Sequence, residues 1–371
     1  MKLFYKLIIL CSVAFTFLSC RQQKSYTFSL KGDIQNPKRD YIILKKNNDI
    51  EQEVSSIIDT IPLGVKGKFE ASYFDEPYIY SLEVDNQKTI PLAINKGQNL
   101  TINVIDSMTY IKGSIDTEAL INYEAFRKKS LDSLVISVRK TIKQFIKENK
   151  DQQLMDSVGK LEVKNYEIHL EELNNYIKKN MANTVGLYAT SIRWKNQKNF
   201  ALYDSLTTEF EKKYPNLGIT KKLREKLTRL QQTNVGGTAS DIEMKSVKDE
   251  VIKLSTITKK YTLIDFWASW CGPCRRESES LNTIYNTYKN QGFEIYGISL
   301  DSDKSKWMQA IEKDNRTWIN VTSLQAFKTP AAYNYAVTSL PVNYLIDENM
   351  KIIAKDIHGQ QLEELLKKLF D

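Results

Sequence analysis

At 371 residues the chain is long enough for two or three compact domains, and an apolar fraction of 42% beside 26% charged residues excludes wholesale disorder. The formal net charge of +8 comes from 53 basic and 45 acidic residues, interspersed along helix-like stretches. Without long basic runs or interleaved stacking aromatics, no nucleic-acid partner is expected, and the charge reads as solvated helix faces.

The first element is a leader. Lys2 and Lys6 flank a short charged start, and the apolar run Leu7 to Leu18 is shorter than the about 20 residues a helix needs to cross a hydrocarbon core. Residues 1–19 therefore read as a signal peptide, whose loss with Lys2 and Lys6 leaves about +6. The run ends in Phe17-Leu18-Ser19-Cys20 and turns polar at Arg21-Gln22-Gln23-Lys24. This resembles the lipobox of bacterial lipoproteins, with Phe17 where Leu is usual. The resemblance implies a lipidated Cys20, a tether over residues 20–25, a lipid anchor and a periplasm-facing place on the cell envelope. The alternative is an ordinary secretory signal that leaves Cys20 a free thiol, a liability in an oxidising compartment.

From residue 26 to 112 short alternating runs such as Tyr41-Ile42-Ile43-Leu44 and Tyr78-Ile79-Tyr80-Ser81-Leu82 are separated by Gly, Pro, Asn and Asp, which predicts an all-β module. Its form, with Lys31-Gly32-Asp33, Ile58-Asp59-Thr60, Gly67-Lys68-Phe69 and Asn95-Lys96-Gly97, resembles the small β domain found ahead of bacterial thioredoxin-like lipoproteins. Residues 113–232 change character. Leu131, Leu134, Val135, Val138, Ile142, Phe145 and Ile146 recur at the spacing of one helix face, as do Leu170, Leu173, Tyr176 and Ile177. A break at Lys213-Tyr214-Pro215-Asn216 precedes a last helix through Leu230. This zone is expected to space the other domains or to form a homodimer.

Thr233 to Gly237 reads as a linker into a C-terminal α/β domain, residues 233–371. Tyr261 to Trp267 predicts a buried strand, followed by Cys271-Gly272-Pro273-Cys274, a helix to about Asn290 and a second buried strand from Phe293 to Leu300. After a helical and loop insertion, Ser339 to Asp347 and Lys351 to Ala354 predict an antiparallel pair, closed by a helix from Gln361 to Phe370. The chain has four cysteines. With Cys11 removed and Cys20 lipidated, Cys271 and Cys274 remain, three positions apart and too close to staple a domain. Zinc usually takes four ligands, and His169 and His358 are the only histidines, so no metal is expected and a redox pair remains. No flavin or nucleotide signature is present, so no cofactor is expected.

The strand ahead, Asp265-Phe266-Trp267-Ala268-Ser269-Trp270-Cys271-Gly272-Pro273-Cys274 and the downstream Pro341 resemble the TlpA/ResA-like thiol-disulfide oxidoreductases of the thioredoxin superfamily, over about residues 237–371. The resemblance implies a thioredoxin fold, so the whole chain is expected to be multidomain: β module, helical segment, thioredoxin-like domain. Cys271 at a helix N-terminus would be the attacking sulfur, since unpaired N–H groups and the helix dipole favour its thiolate. Pro273 suits the first helical turn, and Cys274 one turn inside would resolve the mixed disulfide. Asp265, where thioredoxins carry a buried Asp, is the candidate acceptor of the Cys274 proton. The lysine that accompanies that Asp in thioredoxin has no equivalent in Gly297-Ile298-Ser299-Leu300. Pro341 is expected to be cis and to lie against the pair. Leu340 is expected to offer its backbone to an extended substrate, while Trp270, Gly272 and Pro273 shape the docking surface. His358 is expected to be a bystander in a surface loop.

The function these features imply is reduction of protein disulfides by dithiol exchange, with electrons from a membrane thiol protein and apocytochrome cysteines among the clients. Alternatives are an oxidising or isomerising exchange enzyme, a thiol peroxidase, or an envelope-binding lipoprotein with an accessory redox domain. The peroxidase needs Thr or Ser three positions before the reactive cysteine, where Ala268 stands.

Overall fold

The computed structural model describes residues 27–106, 108–194 and 197–371. The expected leader, Cys20 and the tether 20–25 lie outside the described residues.

Eight strands open the fold: β1 (Thr27–Ile34), β2 (Tyr41–Asp49), β3 (Val54–Pro62), β4 (Lys68–Phe74), β5 (Tyr78–Glu83), β6 (Thr89–Ile94), β7 (Asn99–Ile105) and β8 (Met108–Lys112). They form two four-stranded sheets, ordered β4-β1-β7-β8 and β3-β2-β5-β6. Alternation explains the pairing. In β2, Ile42 and Leu44 are buried while their neighbours are not, and a period of two turns one face of each sheet inward. Leu30, Leu100 and Ile102 of one sheet meet Leu44, Tyr80 and Leu82 of the other in a shared core.

That core continues into the helices. Tyr123 of helix Ile115–Leu131, Leu173 and Ile177 of helix Gln152–Asn180, Phe210 of helix Phe200–Lys213 and Leu227 of helix Gly218–Gln232 belong to it. The helical zone is thus packed on the β sheets and does more than space its neighbours. Ser114 starts the first helix by accepting the Thr117 N–H at 3.0 Å, a cap worth about 1 kcal/mol. The stripe from Leu131 to Ile146 does lie on continuous helix, but it crosses a π-helical turn at Asp132–Ile136 before helix Ser137–Lys147. Only Val135 and Val138 of that stripe are buried. A wider turn rotates the apolar face, which a 3.6-residue period does not anticipate.

The tip of the β2–β3 hairpin ties three regions together. Asp49 pairs with Lys222 at 2.9 Å, Glu51 with Lys226 and Arg229, and Glu53 with Lys328 at 2.5 Å. The Arg229 guanidinium also lies 3.8 Å from the ring centre of Tyr333.

The C-terminal region holds one seven-stranded sheet, built of β9 (Glu243–Ser246), β10 (Val251–Lys253), β11 (Tyr261–Trp267), β12 (Phe293–Ser299), β13 (Ile319–Thr322), β14 (Val342–Asp347) and β15 (Ile352–Lys355). Its order is β10-β9-β13-β12-β11-β14-β15. β11, β12 and β13 run parallel, whereas β14 and β15 form the expected antiparallel pair on β11. β9, β10 and β13 were not predicted, because strands of three or four residues are too short to show alternation. Along β11, Leu263 packs beneath helices Gly272–Tyr288 and Gly359–Phe370, whereas Ile264 and Phe266 face the opposite core. By the same alternation Asp265 points to the helix-covered face.

The linker is stitched to this sheet. Gly236 N–H donates to Ile352 O, Ile352 N–H to Gly237 O and Ala239 N–H to Met350 O, each at 2.8 Å, and Thr238 bridges Lys351. A Cβ at Gly237 would stand 2.0 Å from Gln232 O, so the close approach requires glycine. Among the described residues no helix is long and apolar enough to cross a membrane.

Candidate active site

β11 ends at Trp267, and the chain turns through Ala268, Ser269 and Trp270 into Cys271, the N-cap of helix Gly272–Tyr288. A buried carboxylate shapes this turn. Ser269 donates to Asp301 from its N–H at 2.9 Å and its hydroxyl at 2.6 Å, and Ser299 donates from its hydroxyl at 2.7 Å. Arg275, paired with Asp314, donates to Ser269 O at 3.0 Å. Sequence reasoning named none of these supports.

Cys271 and Cys274 are joined by a disulfide with Cα atoms 5.3 Å apart. The Cys274 N–H donates to Cys271 Sγ at 3.2 Å, so the sulfur takes the role of a capping oxygen. In the dithiol state the same N–H and the positive helix end favour negative charge on Cys271. Exposure does not distinguish the sulfurs, since Cys271 is 5% and Cys274 3% accessible. Position on the helix does. Gly272 and Pro273 complete the first turn between them.

The pair sits in an apolar cluster with Trp267, Ala268, Trp307 and Ala310, against which Leu340 packs. The Leu340–Pro341 bond is cis, and Leu340 of this segment packs against the cluster that holds the redox pair. Trp270 stands 58% exposed, its ring 6.1 Å from that of Phe327. Together they make an aromatic rim at the redox face.

Beneath the helix, Asp265 is buried between Gly297 of β12 and Asn343 of β14. The stretch Gly297 to Leu300 offers no cation, as its sequence indicates, and Asp265 is paired instead with Arg316 from a later segment. The Arg316 side chain is fully buried, donates to Ser278 Oγ at 2.8 Å, and stacks 3.8 Å from the Trp267 ring centre and 4.9 Å from that of Trp318. Gly297 lies against the residues that follow Arg316. A Cβ there would approach Asn320 Oδ1 to 2.9 Å and Trp318 Nε1 to 3.2 Å. The missing side chain leaves room for the Arg316–Trp318 segment beside Asp265. The available signal was a lone arginine in Asn315-Arg316-Thr317-Trp318, just ahead of an apolar run. Burial pushes the Asp265 carboxyl above the usual carboxylate range, with Arg316 pulling against the shift and Glu277 adding to it.

His358 is corrected, from loop bystander to network member. Its Nδ1 lies 2.8 Å from Glu277 Oε1, and Glu277 stands one turn beyond Cys274. Burial works to lower the His358 pKa, but the hydrogen bond and charge of Glu277 outweigh it and hold it above its ordinary value. Asn343, opposite Asp265, anchors this end by donating to Ile357 O at 2.7 Å.

Residues 235–355 match the model of the AhpC/TSA family. The thiol-disulfide oxidoreductase ResA of Geobacillus kaustophilus is 34% identical over 138 residues, which cover 36% of this chain and 78% of that protein. Its counterpart in Bacillus thuringiensis subsp. konkukian is 30% identical over 154 residues, covering 38% and 82%. A solved thioredoxin domain of a thiol-disulfide oxidoreductase from Bacteroides vulgatus is 32% identical, covers 37% of this chain and 99% of its own, and has a TM-score of 0.36.

Proposed function

The chain belongs, through its thioredoxin-like C-terminal domain, to the ResA family of thiol-disulfide oxidoreductases, and from that premise we propose that it reduces protein disulfides on the periplasmic face of the cell envelope. The observation that carries this reading is the Cys274 N–H directed at Cys271 Sγ at the start of a helix. The Cys271 thiolate attacks one sulfur of a client disulfide, forming a mixed disulfide and expelling the other client sulfur as thiolate. Cys274 then gives up its proton, with Asp265 the proposed acceptor, and attacks Cys271 Sγ. The Cys271–Cys274 bond closes and the second client sulfur leaves. The client gains the two electrons that the enzyme dithiol loses.

Trp270, Gly272, Pro273, Leu340 and cis-Pro341 are the proposed docking surface for an extended client segment. Regeneration outside the cytoplasm needs electrons carried across the membrane, and a thiol-bearing membrane protein is the proposed donor. The run from Lys2 to Cys20 supports a lipid anchor at Cys20. Peroxide reduction is the weaker reading, because buried Ala268 offers no hydroxyl where that chemistry needs one.

The test is the reduction potential of the Cys271/Cys274 couple in the chain from Lys24 onward, followed by the fluorescence of Trp267 and Trp270 in thiol redox buffers. A value near about −270 mV supports a reductase, whereas one near about −120 mV assigns an oxidant and overturns the proposed direction.

A further inference from the structure

We propose that Arg316 is the positioning residue of the resolving step: it holds Asp265 beneath the Cys274 helix as an ionised carboxylate ready to take the Cys274 proton. The inference rests on the reading of Cys271 and Cys274 as an exchange couple and assigns a task to a residue outside the redox motif.

Arg316 joins three parts of the site at once. One terminal nitrogen bonds Asp265 on β11, and the other donates to Ser278 Oγ at 2.8 Å. Ser278 in turn donates to the carbonyl of Cys274 at 3.3 Å. The guanidinium plane also lies on Trp267, whose ring packs in the cluster that contains both cysteines. A displacement of Arg316 would therefore be felt at the carboxylate, at the first turns of the helix and at the floor under the sulfurs.

The arrangement is poorly explained as a stabilising device. A fully buried ion pair seldom outperforms apolar residues of the same volume, because desolvation offsets the attraction. This one also leaves Arg316 Nε and Trp267 Nε1 buried without a hydrogen-bond partner, and orphaned donors at such a place call for a functional reason. Lysine would not do the same work. A buried ammonium can surrender its proton to the carboxylate, and it cannot bond two acceptors in one plane while stacking on indole. Guanidinium stays charged, so Asp265 can exchange protons with a thiol but not with its own partner.

The other charged groups that act on Asp265 are Glu277 from the helix and His358 from the start of helix Gly359–Phe370. In an Arg316→Met variant the carboxylate keeps Glu277 beside it and loses its guanidinium, with His358 the remaining opposing group, so it is driven toward the protonated form and loses capacity to accept a proton from Cys274. Attack by Cys271, which depends on the helix end, is untouched.

Dithiobis(nitrobenzoate) separates the two steps in the full-length reduced protein. The first coloured thiolate leaves when Cys271 attacks, and the second leaves when Cys274 closes the disulfide. Arg316→Met is expected to slow the second release about 100-fold or more at neutral pH, the lower end of the range for one lost proton acceptor, and to move the acidic limb of its pH profile upward. The first release stays within about 2-fold. Arg316→Lys should fall between wild type and Arg316→Met, and adding Asp265→Asn to Arg316→Met should slow the second release no further. If Arg316→Met does not fold, Arg316→Lys carries the same test. An acidic limb that stays in place, or equal slowing of both releases, overturns the role of Arg316. A wild-type protein that releases no second equivalent instead overturns the exchange reading on which it rests.

Discussion

Two of the buried ion pairs among the described residues differ in what they hold. At the domain junction Glu51 from the β2–β3 hairpin meets Lys226, whose side chain is 1% exposed, and Arg229, which reaches on to Tyr333. Under the redox pair one carboxylate meets one guanidinium, with Glu277 and His358 nearby. The junction cluster links segments distant in the chain, and its charges touch no reactive atom. The Asp265 pair lies within a single domain and reaches the first turns of the Cys274 helix through Ser278. The same chemical groups fasten segments in one region and, on the proposed mechanism, form part of a proton path in the other, so their removal should be read out by different experiments.

The sharpest separation comes from the sulfurs. Cys271→Ser should abolish disulfide exchange while leaving the thermal unfolding midpoint nearly unmoved, because a bridge spanning three positions constrains the unfolded chain little. A large drop in that midpoint would mean that the redox region is a fastener too. Glu51→Gln should do the reverse. Leaving Lys226 buried without its partner costs about 3–5 kcal/mol in urea unfolding, and Glu51→Gln combined with Lys226→Met should recover much of it. Exchange kinetics of the folded Glu51→Gln protein should match wild type, and altered kinetics would dissolve the distinction between the two regions.

The smallest expected effect is at His358. Its folded pKa is raised above the ordinary 6.5, so its contribution to stability is complete below that value and is lost as pH rises through the folded pKa. The unfolding free energy of wild type in urea should fall relative to His358→Gln over that interval, by less than about 1 kcal/mol for a pair whose imidazole is one-third exposed. A flat difference would remove His358 from the network.

How much of this was legible depended on separation along the chain. The redox motif is contiguous, and its helix, its strand and cis-Pro341 could all be anticipated from residues that stand in a fixed order. Asp265 was visible as a carboxylate inside an apolar strand. Its partner lies 51 positions away, and nothing in the local pattern around Arg316 marks it as the group that reaches Asp265. Glu51 and Lys226 are 175 positions apart, and no local pattern marks either as buried. The helical zone was legible as helices, but its union with the β sheets was not, since an apolar stripe does not say which surface covers it.

The stitched linker has a mechanical consequence. A redox domain on a loose tether explores a volume set by tether length and meets its clients at a high effective concentration. Here residues 236–239 are hydrogen-bonded to residues 350–352 at the start of β15, so the sulfurs have no lever arm of their own. The distance between Cys271 and a client's disulfide therefore has to be closed by the client's chain or by travel of the whole molecule.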